Sequence, residues 1–133
     1  MFKFGKGSLE KLDTVHPDLK LVMKEVIKLT PIDFGITEGI RSPERAEQLK
    51  AEGLSKAGAK SLHCQGKAVD IVCYNGGKIT WELEFYEAVA GVVGEVCEVL
   101  DIKIRWGGSW VTGDFKLNRD MNFIDAVHFE IIE

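Results

Sequence analysis

The sequence predicts an α+β fold in which helices pack on one face of a small antiparallel sheet. Apolar residues recur at helical spacing in two long segments and alternate with polar residues in several short ones. These segments do not follow a strict strand–helix repeat. A turn sequence of one asparagine and two glycines joins two of the short segments, and such a hairpin requires antiparallel pairing.

The first half of the chain predicts two helices around one strand. From Pro17 to Leu29 apolar residues recur every three or four positions, and proline suits the first helical position. Phe34, Ile36 and Ile40 then alternate with polar or small residues, which indicates a half-buried strand. A second helix is predicted from Pro43 to Glu52, because a serine can cap its N-terminus and a glycine follows its end.

The second half predicts a hairpin, a long helix and two further strands. The segment from Ala68 to Tyr74 is typical of a strand, and the turn after it leads into Lys78 to Thr80. The long helix is predicted from Trp81 to Leu100, where apolar residues follow one face. Two strands complete the prediction, at Ile102 to Trp106 and at 127–132.

The composition is that of one compact domain. The chain has 133 residues, with 17 Lys and Arg against 21 Asp and Glu, and a net charge of −4. The hydrophobic fraction of 45% and the charged fraction of 29% are near the globular average. We therefore expect a single domain over residues 1–133. The mild acidity and the lack of a basic run argue against a nucleic-acid partner.

The sequence lacks the usual signals for secretion, membrane insertion and disulfide bonding. The N-terminus has no apolar signal core, and no apolar run is long enough to cross a bilayer, so we expect cytosolic synthesis. Cys64, Cys73 and Cys97 are odd in number and have no C-x-x-C spacing. This pattern favours buried thiols over a disulfide framework or a cysteine-based zinc site.

Two of the three histidines lie in segments that also contain aspartate, 61–70 and 125–130. A catalytic zinc site needs three nitrogen or oxygen ligands and an open fourth position, and His63, Asp70 and His128 can supply that set. On spacing alone these residues fix no geometry, and structural or solvated histidines remain the more common outcome.

Strand alternation predicts the direction of the residues near the C-terminus. The apolar residues of the last strand share the core face, which leaves His128 and Glu130 on the opposite face. Asp125 lies at an odd offset from His128, so it joins such a site only from a turn or bulge. It could then act as a general base. Arg41, between a strand and a helix, could stabilise an oxyanion or hold a substrate carboxylate.

Two signatures resemble those of the D-Ala-D-Ala carboxypeptidase (VanY-type) family of zinc peptidoglycan peptidases. The first is the S-x-H-x-x-G-x-A-x-D run from Ser61 to Asp70, preceded by Gly39-Ile40-Arg41-Ser42, Glu47-Gln48 and Gly53-Leu54-Ser55. The second joins W-G-G-S-W at 106–110 to D-x-x-H-F at 125–129. The N-terminal segment resembles the branch of bacteriophage L-alanyl-D-glutamate endopeptidases, which act as endolysins, in Phe2-Lys3-Phe4-Gly5-Lys6 and Val15-His16-Pro17-Asp18-Leu19.

The resemblance implies a hedgehog/D-Ala-D-Ala peptidase-like fold and one catalytic Zn²⁺ held by His63, Asp70 and His128. The catalytic domain would span residues 1–133, and we expect no separate cell-wall-binding domain. It implies that Asp125 is the catalytic base and that Arg41 contacts the substrate or the oxyanion. The implied reaction is hydrolysis of the L-alanyl-D-glutamate bond in peptidoglycan stem peptides, with host lysis as its result. The sequence does not fix the roles of three further residues: Ser61, Gln48, and Ser109, which stands where the family often has Asp.

The resemblance also implies a cellular setting. We expect a monomer that accumulates in the cytoplasm of the producing cell and reaches the wall through a separate holin-type permeabiliser, without stable membrane insertion. One alternative is a D-Ala-D-Ala carboxypeptidase or dipeptidase with the same metal chemistry. Another is a non-catalytic, zinc-stabilised module that binds wall peptides, which is disfavoured because a structural zinc site needs no base such as Asp125.

Four other residues are left outside the predicted site. His16 precedes a helix proline and is expected to cap that helix or lie exposed. Glu130 is equally compatible with a supporting role and with a solvated strand position. Trp81 and Trp110 are expected in the core or at the rim of a cleft.

Overall fold

A computed structural model describes residues 1–53 and 62–133, without the side chains of Pro43, Ala46, Leu62 and His63. The chain forms, in order, α1 (Lys6–Leu12), α2 (Pro17–Leu29), β1 (Phe34–Glu38), α3 (Pro43–Ala51), a 3₁₀ turn (Leu62–Gln65), β2 (Ala68–Asn75), β3 (Lys78–Thr80), α4 (Leu83–Leu100), β4 (Ile104–Trp106) and β5 (His128–Ile131). None of the helices within these ranges is long and apolar enough to cross a membrane.

The five strands form one antiparallel sheet in the order β1-β2-β5-β4, with β3 also paired to β2. Strand β2 is central, since β1 lies along one edge and β5 and β3 share the other. Gly76 and Gly77 have φ of 59° and 81° in the β2–β3 turn, a conformation that favours glycine. The predicted hairpin and the antiparallel sheet are therefore confirmed.

The core lies between the sheet and the pair of helices α2 and α4, which pack on each other. Alternate residues of β2 enter this core, namely Val69, Ile71 and Cys73. Because neighbouring residues of a strand point to opposite faces, Asp70 lies on the face away from these helices. The predicted arrangement, with helices on one face of the sheet, is confirmed.

Three predicted boundaries are wrong by two residues, and one of them is the start of β4, at Ile104 instead of Ile102. Strand β1 ends at Glu38, so Ile40 lies beyond it with 52% of its surface exposed. The chain leaves the sheet there because Gly39 packs on the end of α1, where an added Cβ would lie 2.4 Å from the Lys11 carbonyl oxygen. Helix α4 begins at Leu83 instead of Trp81.

Helix α1 was not predicted. It has seven residues and no side-chain hydrogen bond at its N-cap, so the local pattern is too short to indicate a helix. Tertiary contacts hold it instead. Leu12 is fully buried, and the Ser8 hydroxyl accepts a 3.0 Å hydrogen bond from the Ile36 backbone N–H.

The three cysteines form no disulfide bond, and the predicted burial holds for two of them. Cys73 and Cys97 are buried and Cys64 is half-buried. Burial raises the pKa of Cys73 to about 12, with a further contribution from the charge of Asp33, and it raises the pKa of Cys97 to about 11. The two buried thiols therefore behave as small core residues.

Candidate active site

A row of polar side chains crosses the sheet on the face away from α2 and α4. Asp70 on β2 lies opposite Glu38 of β1 on one side and opposite His128 of β5 on the other. The His128 Nδ1 atom is 3.4 Å from Asp70 Oδ1. The structure thus brings together two of the three predicted zinc ligands and holds both on paired strands.

A bulge in β1 brings Glu38 into this row. Phe34 and Ile36 enter the core, so strict alternation would turn Glu38 toward the core as well. The register shifts between Ile36 and Glu38, which places Glu38 opposite Asp70 instead of Val69. The bulge therefore adds a second carboxylate to the polar face.

Arg41 lies beside both carboxylates, with only 7% of its surface exposed. Its Nε atom donates a 2.9 Å hydrogen bond to Glu38 Oε1, and its Nη2 atom is 3.6 Å from Asp70 Oδ2. The guanidinium is therefore fixed in orientation at the edge of the site. Arg41 lies between β1 and α3, which is the strand–helix junction predicted from the sequence.

The third predicted ligand, His63, has its backbone in the 3₁₀ turn just before β2, and its side chain lies outside the described residues. The next residue, Cys64, has its Sγ atom 3.8 Å from the Ser42 carbonyl oxygen, so the turn lies close to Arg41 in space. Among the side chains that the structure describes, no three His, Cys, Asp or Glu groups form a metal cluster. The described pair, one imidazole nitrogen and one carboxylate oxygen, fits the donor preferences of catalytic zinc.

Asp125 lies just before the turn that leads into β5, and its charge acts on His128. It directly precedes the two turn residues before β5, and its carbonyl oxygen accepts a 3.1 Å hydrogen bond from the His128 N–H. Its own N–H donates to the Gly107 carbonyl oxygen at 2.9 Å, and the Gly107 N–H donates to the His128 carbonyl oxygen at 2.9 Å. Gly107 thus ties the predicted base to the strand that carries His128.

Gly107 has no room for a side chain. A Cβ atom added there would lie 2.1 Å from the Asp125 carbonyl oxygen and 3.0 Å from the Asp125 Cβ. The glycine is therefore required by the close approach of the Asp125 backbone. The W-G-G-S-W signature contains this glycine, although sequence reasoning assigned it no role.

The environment of His128 favours positive charge. Burial lowers the pKa of the imidazole, but hydrogen bonds with Asp70 and Glu130 and the negative charges of Asp70 and Asp125 outweigh burial and raise it to about 9. Three carboxylates therefore act on one buried ring. Such a site attracts a cation.

Glu130 was left outside the predicted site, and the structure shows it in contact with His128. Glu130 is 3% exposed, and its Oε1 atom lies 2.8 Å from His128 Nε2. Its Oε2 atom accepts hydrogen bonds from Arg105 Nε at 3.0 Å and from Arg105 Nη2 at 2.5 Å. Burial alone would raise the pKa of Glu130, but the hydrogen bonds from His128 and Arg105 lower it. The sequence signal for this contact is that His128 and Glu130 are two residues apart on one strand and so share a face.

Trp110 covers the imidazole from the loop after β4. Its ring centroid is 5.4 Å from that of His128, and the Arg105 guanidinium lies 5.8 Å from the Trp110 ring centroid. Trp110 has φ of 58°, which is rare for a bulky residue. Ser109 supports this loop, since its hydroxyl donates to the Asp114 carbonyl oxygen at 2.5 Å and accepts from the Val111 N–H at 3.3 Å.

The remaining residues considered in the sequence lie away from the polar row or outside the described ranges. His16 caps α2, and its Nδ1 atom accepts a 3.1 Å hydrogen bond from the Asp18 N–H, as predicted. Gln48 donates to Glu52 within the region of α3, at 3.2 Å. Trp81 is 67% exposed and stacks on Tyr86. Ser61 lies outside the described residues.

The fold is that of a peptidase class with a solved member. The structure is similar to that of the L-Ala D-Glu endopeptidase ChiX of Serratia marcescens, with a TM-score of 0.83 and 29% sequence identity. The similarity covers 98% of this chain and 90% of that chain. The α+β fold predicted from the sequence is therefore that of a known peptidase.

The chain belongs to the phage L-alanyl-D-glutamate peptidase family, whose model matches residues 1–132. It is 38% identical to the L-alanyl-D-glutamate peptidase of Escherichia phage T5 over 135 residues, which cover 98% of both chains. It is 28% identical to the peptidoglycan L-alanyl-D-glutamate endopeptidase CwlK of Bacillus subtilis (strain 168), over 89% of this chain and 74% of that protein.

Proposed function

We propose that this chain hydrolyses the L-alanyl-D-glutamate bond of peptidoglycan stem peptides and that it does so as a zinc peptidase. The family match over nearly the whole chain supports the substrate class. The observation that carries the chemistry is the pairing of His128 with Asp70 on facing strands, with Arg41 and Asp125 at its sides.

His63, Asp70 and His128 would hold the metal. Zn²⁺ in such a site supplies a water activated at neutral pH and polarises the scissile carbonyl. The two described ligands are rigid, because each lies on a strand that also contributes to the buried core. Rigid ligands keep the donor atoms in place without a cost of reorganisation during the reaction.

Asp125 acts as the proton carrier. Its carboxylate takes a proton from the attacking water while the new C–O bond forms. It then delivers that proton to the amine of D-glutamate as the C–N bond breaks, so one water is consumed and two free ends are produced. The hydrogen bonds of its backbone to Gly107 and His128 hold Asp125 beside the strand that carries His128.

Arg41 stabilises negative charge next to the metal ligands. Its planar guanidinium is held by Glu38 and lies beside Asp70, so the charge is fixed before substrate binds. Two contacts are compatible with this position: the oxyanion that develops at the scissile carbonyl, or a carboxylate of the stem peptide. A loss in kcat would identify the first contact, and a rise in KM alone would identify the second.

The setting that we propose is lysis of the host by a phage. The peptidase is made in the cytoplasm of the producing cell and reaches the wall through a separate permeabilising protein. The family of phage peptidases and the phage T5 relative support this setting.

Digestion of purified peptidoglycan tests the function directly. Mass analysis of the products should show new peptides that begin with D-glutamate, and an Asp125→Asn variant should release almost none. Free D-alanine instead would identify the carboxypeptidase or dipeptidase alternative. Zinc binding without any cleavage would identify a wall-peptide-binding module.

A further inference from the structure

Glu130 is a buried carboxylate that the catalytic steps above do not use. Its side chain is 4% exposed, and both of its oxygens have partners in the structure. Burial of a carboxylate costs free energy unless hydrogen bonds compensate it. Because Glu130 is buried next to a predicted metal ligand, we ask what it contributes to the metal site.

The two ring nitrogens of His128 have different carboxylate partners. Nδ1 faces Asp70 Oδ1 at 3.4 Å, and Nε2 faces Glu130 Oε1 at 2.8 Å. An ionised carboxylate can only accept a hydrogen bond, so the contact with Glu130 requires the proton on Nε2. The lone pair of a neutral His128 is then on Nδ1, on the side of Asp70, where a shared cation would bind.

Arg105 holds Glu130 in this orientation. It lies opposite Glu130 in the β4–β5 register, and two of its nitrogens donate to Glu130 Oε2, which leaves Oε1 directed at His128. The same guanidinium lies over the ring of Trp110, which packs on His128. His128, Glu130, Arg105 and Trp110 thus form a closed ring of four side chains, each in contact with the next.

We propose that Glu130 is the positioning residue of the metal centre: it accepts the Nε2–H of His128 and so presents Nδ1 to the metal beside Asp70. This inference rests on the proposed function, which makes His128 a zinc ligand. Arg105 has the secondary role of keeping Glu130 Oε1 toward the ring. A carboxylate behind a ligating histidine raises metal affinity by fixing the ring and its tautomer.

The Glu130→Gln variant separates this role from simple packing. Glutamine has nearly the same shape, but an NH2 group replaces one of the two carboxylate oxygens. This group cannot accept from His128 or Arg105, so one of the two contacts is lost. The matched control is Glu84→Gln, because Glu84 Oε1 also accepts from an arginine, Arg119, at 3.0 Å but contacts no histidine among the side chains that the structure describes. Arg105→Met is a second variant that leaves Glu130 in place, at a residue with an exposed side-chain fraction of 39%.

The readouts are zinc affinity, by competition with a chromophoric chelator, and the tautomer of ¹⁵N-labelled His128 by NMR in the zinc-loaded protein. Glu130→Gln should weaken zinc binding about 10- to 100-fold and lower the Nε2–H population. Arg105→Met should weaken it less, and Glu84→Gln should match the wild type. Thermal unfolding confirms that each variant is folded.

Two results would overturn the inference, and they are distinguishable. If a folded Glu130→Gln binds zinc as tightly as the wild type and keeps the Nε2–H tautomer, while His128→Ala loses zinc, only the positioning role is wrong. If His128→Ala binds zinc as tightly as the wild type, the proposed ligand set is wrong and the inference fails with it.

Discussion

His128 and Asp70 are register partners across β5 and β2, with the Nδ1 and Oδ1 atoms 3.4 Å apart. The next pair in the same register, Phe129 and Val69, is fully buried in the core. A slip of one residue would expose this apolar pair and separate the polar one, so packing on one face of the sheet sets the geometry on the other.

Phe129→Ala should therefore damage both stability and the site. Loss of a fully buried aromatic side chain should lower the free energy of unfolding by about 3–5 kcal/mol, measured by urea denaturation. Phe123→Ala is the matched control, because Phe123 is 46% exposed and its loss should cost less than about 1 kcal/mol. Equal costs for the two variants would contradict this account of the core.

Asp125→Asn should remove catalysis but keep the metal. The amide cannot carry the proton, so kcat on peptidoglycan fragments should fall about 10²- to 10⁴-fold. The zinc content of the purified variant should equal that of the wild type, since Asp125 is not among the proposed ligands. A variant that loses zinc along with activity would reassign Asp125 to the ligand set.

Gly107→Ala should reduce activity through the Asp125 backbone. The new Cβ would lie 2.1 Å from the Asp125 carbonyl oxygen, so the turn that places Asp125 must move. A shift of this kind should lower kcat about 10²-fold. Gly91→Ala is the control, since an added Cβ meets nothing within 4 Å and the helix should gain about 0.5–1 kcal/mol. Similar activity of the two variants would show that the Gly107 contact is not needed.

Alkaline pH should destabilise the protein through Cys73. Burial holds the pKa of Cys73 at about 12 against an ordinary 9, so the folded state keeps a proton that the unfolded state loses. The stabilisation is complete below pH 9 and is lost as the pH rises toward 12, by up to about 1.4 kcal/mol per pH unit.

Urea unfolding at pH 8 and pH 10.5 measures this loss. Cys73→Ala should show a smaller decrease in stability between the two pH values than the wild type. Val89→Ala removes a core side chain of similar burial without a titrating group, so it should keep the wild-type decrease. The same decrease in Cys73→Ala and the wild type would contradict the assignment to this thiol.

The fold was predictable wherever local signals were strong. Helix α2 has the predicted ends because a helix proline, a capping residue and a long apolar stripe agree. The β2–β3 turn follows from the two glycines that its positive φ angles favour. Helix α1 and the end of β1 depend on contacts between distant parts of the chain, such as Gly39 against Lys11, which no local pattern contains.

The sequence predicted a set of residues for the site but not how their side chains contact one another. Spacing left open whether His128 and Asp70 meet, and only the pairing of β2 with β5 brings them together. The sequence could not distinguish a supporting role of Glu130 from a solvated strand position. The burial of Glu130 depends on Arg105 from another strand and on the loop that carries Trp110. The bulge that turns Glu38 toward Asp70 has no local signal either.

The central claim is that zinc held by the row of Asp70 and His128 drives cleavage of the stem peptide. The most direct measurement is the rate of release of new D-glutamate amino ends from purified peptidoglycan, after removal of metal by a chelator and again after addition of Zn²⁺. The wild type should lose its activity and regain it with one zinc per chain, whereas Asp70→Asn should stay inactive. Undiminished cleavage after complete removal of metal, or a wild-type rate in zinc-loaded Asp70→Asn, would contradict the claim.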